Sequence, residues 1–120
     1  MLICGNADLD MHELEIAASY EGGYSSTHPT IRSFWNVVHS LDATQQRQLL
    51  AFVTGSDRVP IKGLATLSFC IQRAGPDSDR LPTAHTCFNS LLLPDYATEL
   101  KLRDRLLIAL SCSNQGFGLL

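Results

Sequence analysis

Apolar residues along this chain first recur at a helical spacing. Ile31, Phe34, Trp35, Val38 and Leu41 fall at offsets of 0, 3, 4, 7 and 10, which lines them along one face of an α-helix. Asp42 follows at once, with Gln45 three residues on in capping-box register. Leu49, Leu50, Phe52 and Val53 then supply the buried side of a second helix, which Gly55 closes. An earlier helix, over about 11–19, is predicted from the capping box of Asp10 with Glu13 and the hydrophobic staple of Leu9 with Leu14. It should stop near Tyr20, Glu21, Gly22 and Gly23, because paired glycines favour a chain turn. Late in the chain, Thr98 caps a helix reaching about Ser111, with Leu102, Leu106, Ala109 and Leu110 inward and Glu99 paired with Arg103 on the outer face. The tail from Asn114 to Leu120 carries no helical stripe.

Elsewhere the spacing is that of strands. Leu67, Phe69 and Ile71 alternate with Ser68, Cys70 and Gln72, the period of a strand with one buried face. The mostly apolar run from Phe88 to Leu93, ended by Pro94, predicts a short strand buried on both sides, and Leu2, Ile3, Cys4 and Gly5 read as the end of another. Polar residues 25–29 form a link, residues 56–63 a loop, and Gly75, Pro76, Asp77, Ser78 and Asp79 a turn. Without an internal repeat, this order predicts one domain over 1–120. Its class is α/β of the α+β type, a small mixed sheet of about four strands packed with about four helices.

Composition narrows the function. The 120 residues are 45 % apolar and 18 % charged, as in one compact soluble domain. A chain of this size buries roughly 65 to 70 % of its unfolded surface, enough to fold without a metal or disulfide. The net charge of −3 and the lack of a basic stripe beyond Lys101, Arg103 and Arg105 argue against a nucleic-acid partner. The longest wholly apolar run, Leu91 to Leu93, falls far short of the ~20 residues of a membrane span, and the N-terminus has no signal-peptide pattern. Cys4, Cys70, Cys87 and Cys112 are dispersed, so free thiols are expected, with no metal and no cofactor. The expected location is the cytoplasm, the nucleus, or both.

One segment stands apart. Residues 80–89 follow a turn, precede a buried strand, and set His85 two positions before Cys87. On extended backbone those side chains share a face, and an imidazolium there would raise the small thiolate fraction that an ordinary thiol has at neutral pH. The alternative is structural, with His85 capping a turn and Cys87 opening the strand. A cysteine phosphatase is excluded because the residue six after Cys87 is Leu93 and not Arg, and a thioredoxin-type site because no Cys-x-x-Cys occurs. Paired zinc ligands, a Walker loop and a dinucleotide fingerprint are all missing. His12 and His39 read as ordinary surface or boundary positions, Trp35 as core, and Cys70 and Cys112 as structural.

The string LPTAHTCFNSLLLPDY, residues 81–96, resembles the active-site segment of HECT-type ubiquitin ligases, whose LP-x-x-HTCFN motif holds the ubiquitin-accepting cysteine. The likeness extends to LICG at the start, DLD at 8–10, the turn at 20–24, IRSFW at 31–35, FVTGSDR at 52–58 and GFG at 116–118. It looks most like the branch containing the E6-associated protein, and covers only that family's C-terminal lobe. The resemblance implies that Cys87 carries ubiquitin as a thioester, with His85 and Thr86 in support. Phe88 is implied as a core anchor, Asn89 as a hydrogen-bonding partner of the loop or of the ubiquitin tail, and Phe117 as a residue that helps deliver ubiquitin to lysine. The implied partners are ubiquitin, a ubiquitin-conjugating enzyme engaged mainly by an upstream lobe, and protein substrates. The family's acidic tail residue has no counterpart between Asn114 and Leu120, which leaves the base for lysine transfer unassigned; Asp95 reads as a turn or helix-start residue. The rival expectation is a noncatalytic ubiquitin-binding or interaction module of the same fold.

Overall fold

The structure is a computed structural model that describes residues 11–55, 68–86 and 89–119, apart from the side chains of 113–119. The elements in chain order are α1 (Met11–Ala17), β1 (Ser19–Glu21), α2 (Pro29–Ser40), α3 (Ala43–Thr54), β2 (Cys70–Arg73), β3 (Thr83–His85), β4 (Ser90–Leu93) and α4 (Glu99–Leu119). The four strands form one mixed sheet in the order β1-β2-β4-β3, parallel between β1 and β2 and between β2 and β4, antiparallel between β4 and β3. The α/β expectation of four strands with four helices holds.

The helices form where local chemistry asks for them. His28 caps α2 by accepting the Thr30 amide on Nδ1 at 3.1 Å, and Pro29 occupies the first turn, where its missing N–H costs nothing. The Ile31, Phe34, Trp35, Val38 and Leu41 stripe is buried throughout. The Asp42–Gln45 capping box on α3 is complete, with Gln45 N donating to Asp42 Oδ1 at 2.8 Å and Asp42 N to Gln45 Oε1 at 3.2 Å. At the other end Gly55 takes the left-handed conformation, φ 81°, and its amide returns to the Ala51 carbonyl. α3 packs on β3, β4 and α4, while α2 packs on α1 and α4. Trp35 lies edge-on to Phe34 and Phe69 and donates from its indole to Tyr20 Oη at 3.2 Å, which ties α2 to β1.

Several expectations are corrected. α1 ends at Ala17, two residues early, because Ser19 turns to donate to the Phe69 carbonyl and the next residues pair with β2. What reads as a helix stop at Tyr20 and Glu21 is therefore an edge strand. The last strand begins at Ser90 rather than Phe88. The α4 backbone runs on past Ser111 to Leu119, since each added helical bond is cheap once the first turns are anchored by buried Leu102, Leu106 and Leu110. Glu99 faces α2 and accepts from Asn36 Nδ2 at 3.3 Å instead of serving Arg103. Cys70 is half-buried and free, and Cys112 is free and exposed, against its reading as structural. His39 does sit at the boundary, where it also bonds Glu15 at 2.7 Å and stacks on His12 at 4.1 Å, latching α1 to α2. The Asp10 capping box, the opening strand, Leu67 and the loop at 56–63 lie outside the described residues.

Asp42→Ala removes the side chain that closes the α3 capping box and is expected to lower unfolding stability by about 1 kcal/mol in urea titration. Thr44→Ala, at an exposed position beside it, should change stability by less than about 0.5 kcal/mol. Equal losses in the two variants would show that the box contributes nothing.

Candidate active site

The segment singled out by its His and Cys is the hairpin between β3 and β4. β3 presents Thr83, Ala84 and His85 opposite Leu92, Leu91 and Ser90, so His85 ends the strand directly across from the first residue of β4. Thr86 already leaves the extended conformation. The alternation that would put His85 and Cys87 on one face therefore stops one residue short of the cysteine. Cys87 and Phe88 themselves lie outside the described residues, as does the side chain of Phe117. His85 and Thr86 are exposed, and Asn89 is half-buried.

The two ends of the Cys87 segment are fixed by their neighbours. The Asn89 amide donates to the Thr86 carbonyl at 3.4 Å, joining the two described residues that flank positions 87 and 88. Asn89 has φ 49°, a left-handed conformation that costs most L-residues about 1–2 kcal/mol and that Asn tolerates better than they do. The C-cap of α3 comes close as well, for a Cβ added at Gly55 would stand 3.6 Å from Thr86 Cβ. Spacing alone does not reveal this contact between the FVTG and HTC strings.

Upstream, the strand is braced by α4 and the β4–α4 connection. Buried Tyr96 donates its hydroxyl to the Arg80 carbonyl, and burial pushes that hydroxyl up to about 12. Lys101 of α4 holds the preceding turn with Nζ 3.1 Å from Asp77 Oδ1 and 3.2 Å from Asp79 Oδ1. The hydrogen bond from Lys101 keeps the Asp77 carboxyl below its ordinary 3.8, and the reciprocal bond keeps the Lys101 ammonium above 10.5. The sequence gives no local sign of this clamp, whose partners are more than twenty residues apart.

Asp95 is structural, in agreement with its reading as a turn residue. It accepts from Thr30 Oγ1 and from Arg73 Nε at 3.2 Å, with His28 Nε2 at 3.9 Å. It also stands beyond the C-terminal end of β4, whereas Cys87 precedes its N-terminal end; four strand residues of about 3.3 Å each separate the two. No group of three or more His, Cys, Asp or Glu side chains suited to a metal ion occurs among the described residues, and no helix there is long and apolar enough to cross a membrane.

The family model for the HECT-domain (ubiquitin-transferase) matches residues 1–120. The chain belongs to the HECT-domain family. It is 46 % identical over 119 residues to the human probable E3 ubiquitin-protein ligase HECTD2, covering 99 % of this chain and 15 % of that protein. Human HERC4, also a probable E3 ubiquitin-protein ligase, is 44 % identical over 119 residues, 99 % of this chain and 11 % of its own length. HUL4 of Eremothecium gossypii, with the same description, is 43 % identical over 119 residues, 98 % of this chain and 14 % of its own. The chain thus spans less than a sixth of these relatives. Within the HECT chain, the HTC hairpin is the one place where the motif, an exposed imidazole and the Asn89–Thr86 bond coincide among the described residues.

The clamp on the turn that precedes β3 has a pH signature. A depressed carboxyl pKa contributes stability above its unfolded value of 3.8, and that contribution is lost as pH falls through the lower folded value. The melting-temperature difference between wild type and Asp77→Asn should be full from about pH 5 to 9 and close below about pH 3. A difference that does not change across this range would show that the ion pair is idle.

Proposed function

We propose that this chain is the C-terminal lobe, 1–120, of a HECT ubiquitin transferase and that Cys87 is its ubiquitin acceptor. The Cys87 thiolate attacks the carbonyl carbon of the thioester joining ubiquitin to a conjugating enzyme. A new thioester forms on Cys87, and the conjugating enzyme's thiolate leaves with the electron pair. A deprotonated substrate lysine then attacks the Cys87 thioester, an isopeptide bond forms, and the Cys87 thiolate is released. The observation that carries this reading is the LPTAHTCFN string in a hairpin, within a chain that matches the family from end to end.

Exchange of one thioester for another is nearly isoenergetic, so the lobe has to supply position and thiolate rather than driving force. A strongly acidified thiol would lose nucleophilicity; a moderately tuned one suits the task. His85, at the end of β3, and Thr86, beside Gly55, are proposed to support the thiol and the charge that develops on the thioester oxygen. Phe117, on the α4 backbone extension, is proposed to act in delivery to lysine. Ubiquitin, a conjugating enzyme recruited mainly by the upstream lobe, and protein substrates complete the reading, which places the protein in the reducing cytoplasm or nucleus. Kinship with the E6-associated-protein branch belongs to the same proposal.

The test uses the full-length protein with a conjugating enzyme charged with ubiquitin. A thiol-reducible ubiquitin adduct should form and vanish in Cys87→Ala. An adduct that persists would reject the site, and noncovalent ubiquitin binding with no adduct in wild type would favour the noncatalytic module. Phe117→Ala should slow transfer to lysine by about tenfold or more while slowing adduct formation less. Equal effects on the two steps would remove its delivery role.

A further inference from the structure

Asn89 is the only non-glycine residue with a positive φ among the described residues, and it stands two positions after Cys87. The hydrogen bonds joining it to described residues are made by its main chain. Its amide reaches back to the Thr86 carbonyl at 3.4 Å, and its carbonyl accepts the Cys70 amide at 3.1 Å. One residue thus ties back to Thr86, across positions 87 and 88, and starts the parallel ladder of β4 on β2, where Ser90 stands opposite Cys70. The same Ser90 stands opposite His85 on the other edge. The left-handed backbone of Asn89 makes both sets of bonds compatible, because it reverses the chain within a single residue as β4 begins.

We infer that Asn89 is a positioning residue for the Cys87 thiol and that it acts through its left-handed backbone, not through its side-chain amide. The inference rests on the reading of Cys87 as the acceptor and goes beyond the role the family motif implies for Asn89, a hydrogen bond to the loop or to ubiquitin. A residue that resists positive φ relaxes the turn, so the competent geometry becomes a minor population and the rate falls by that fraction. Glycine, which adopts positive φ without a Cβ clash, restores the geometry while deleting the amide.

The experiment compares Asn89→Gly and Asn89→Ala with wild type in the full-length protein, below the melting temperature of every variant. Two rates are read: ubiquitin adduct formation from a charged conjugating enzyme, and alkylation of Cys87 by iodoacetamide, resolved by peptide mass spectrometry against exposed Cys112 as the reference. Asn89→Gly should stay within about threefold of wild type in adduct formation, and Asn89→Ala should fall by about tenfold, with a matching change in Cys87 alkylation and none at exposed Cys112 on α4, while Cys70, bonded to Asn89, follows the alanine variant. A glycine variant as slow as alanine would overturn the inference in favour of the amide, and an alanine variant as fast as wild type would overturn it outright. If the alanine variant does not fold, glycine against wild type decides, since it removes the side chain and keeps the backbone. Persistence of the adduct in Cys87→Ala would reject the acceptor instead; the alkylation rates would still report whether Asn89 positions that thiol.

Discussion

The geometry around the cysteine depends on β4 being paired along both edges at once. Leu91 and Leu93 are fully buried, so a slip of one residue would turn the strand's apolar side chains out of the core. The register is also fixed at the strand's end, where the Leu93 carbonyl accepts both the Ala74 amide at 3.0 Å and the buried Tyr24 hydroxyl at 2.7 Å. Burial, with the Asp95 carboxylate nearby, raises the pKa of that hydroxyl and keeps it a neutral donor. β3 is an edge strand whose strand partner is β4, so the position of His85 follows from this register.

The two ends of β4 are stabilised by different means. At the C-terminal end, charge and side-chain hydrogen bonds gather: Asp95 joins α2 to β2 through Thr30 and Arg73, and Lys101 gathers Asp77 and Asp79 onto α4. At the N-terminal end, the residues that flank positions 87 and 88 are held by main-chain bonds from Asn89 and by the approach of Thr86 to the glycine cap of α3. Strength is thus concentrated away from the exposed hairpin. A surface that must admit a partner's chain end is expected to be less heavily crosslinked than the scaffold behind it.

What was legible in the sequence follows the range of the interactions. α2 and α3 are set by local stripes and caps, and both could be read from residues within a few positions of each other; the Asp42 box and the Gly55 stop are the clearest cases. β1 could not, because Ser19, Tyr20 and Glu21 are too few for their alternation to stand out and find their partners some fifty residues later in β2. The extension of α4 past Ser111 was hidden because a helix can propagate without an apolar stripe. At the site, the motif pointed to the hairpin, while the Lys101 clamp, the Tyr96 bond and the Gly55–Thr86 contact needed the fold to bring distant segments together. Asn89 did carry a local signal, an αL-tolerant residue between a turn and a strand, which the resemblance to a family motif had assigned to other work.

The chemistry explains why such a division suits the proposed transfer. A thioester exchange close to equilibrium gains little from a strongly perturbed thiol, whereas holding the sulfur on line with an incoming carbonyl converts a slow encounter into a near-unimolecular step. That demands a short, stiff turn on a fixed strand register. Lysine attack has a different need, since the ammonium must lose a proton first. Among the described residues, the carboxylates of the β4–α4 connection and the preceding turn cannot meet it: Asp95 is occupied by Thr30 and Arg73, Asp77 and Asp79 by Lys101, and all of them stand behind the sheet's other end. The bond from Lys101 also lowers the basicity of Asp77. These three carboxylates are therefore set aside as the base for that step, which asks for a group free of such cation partners.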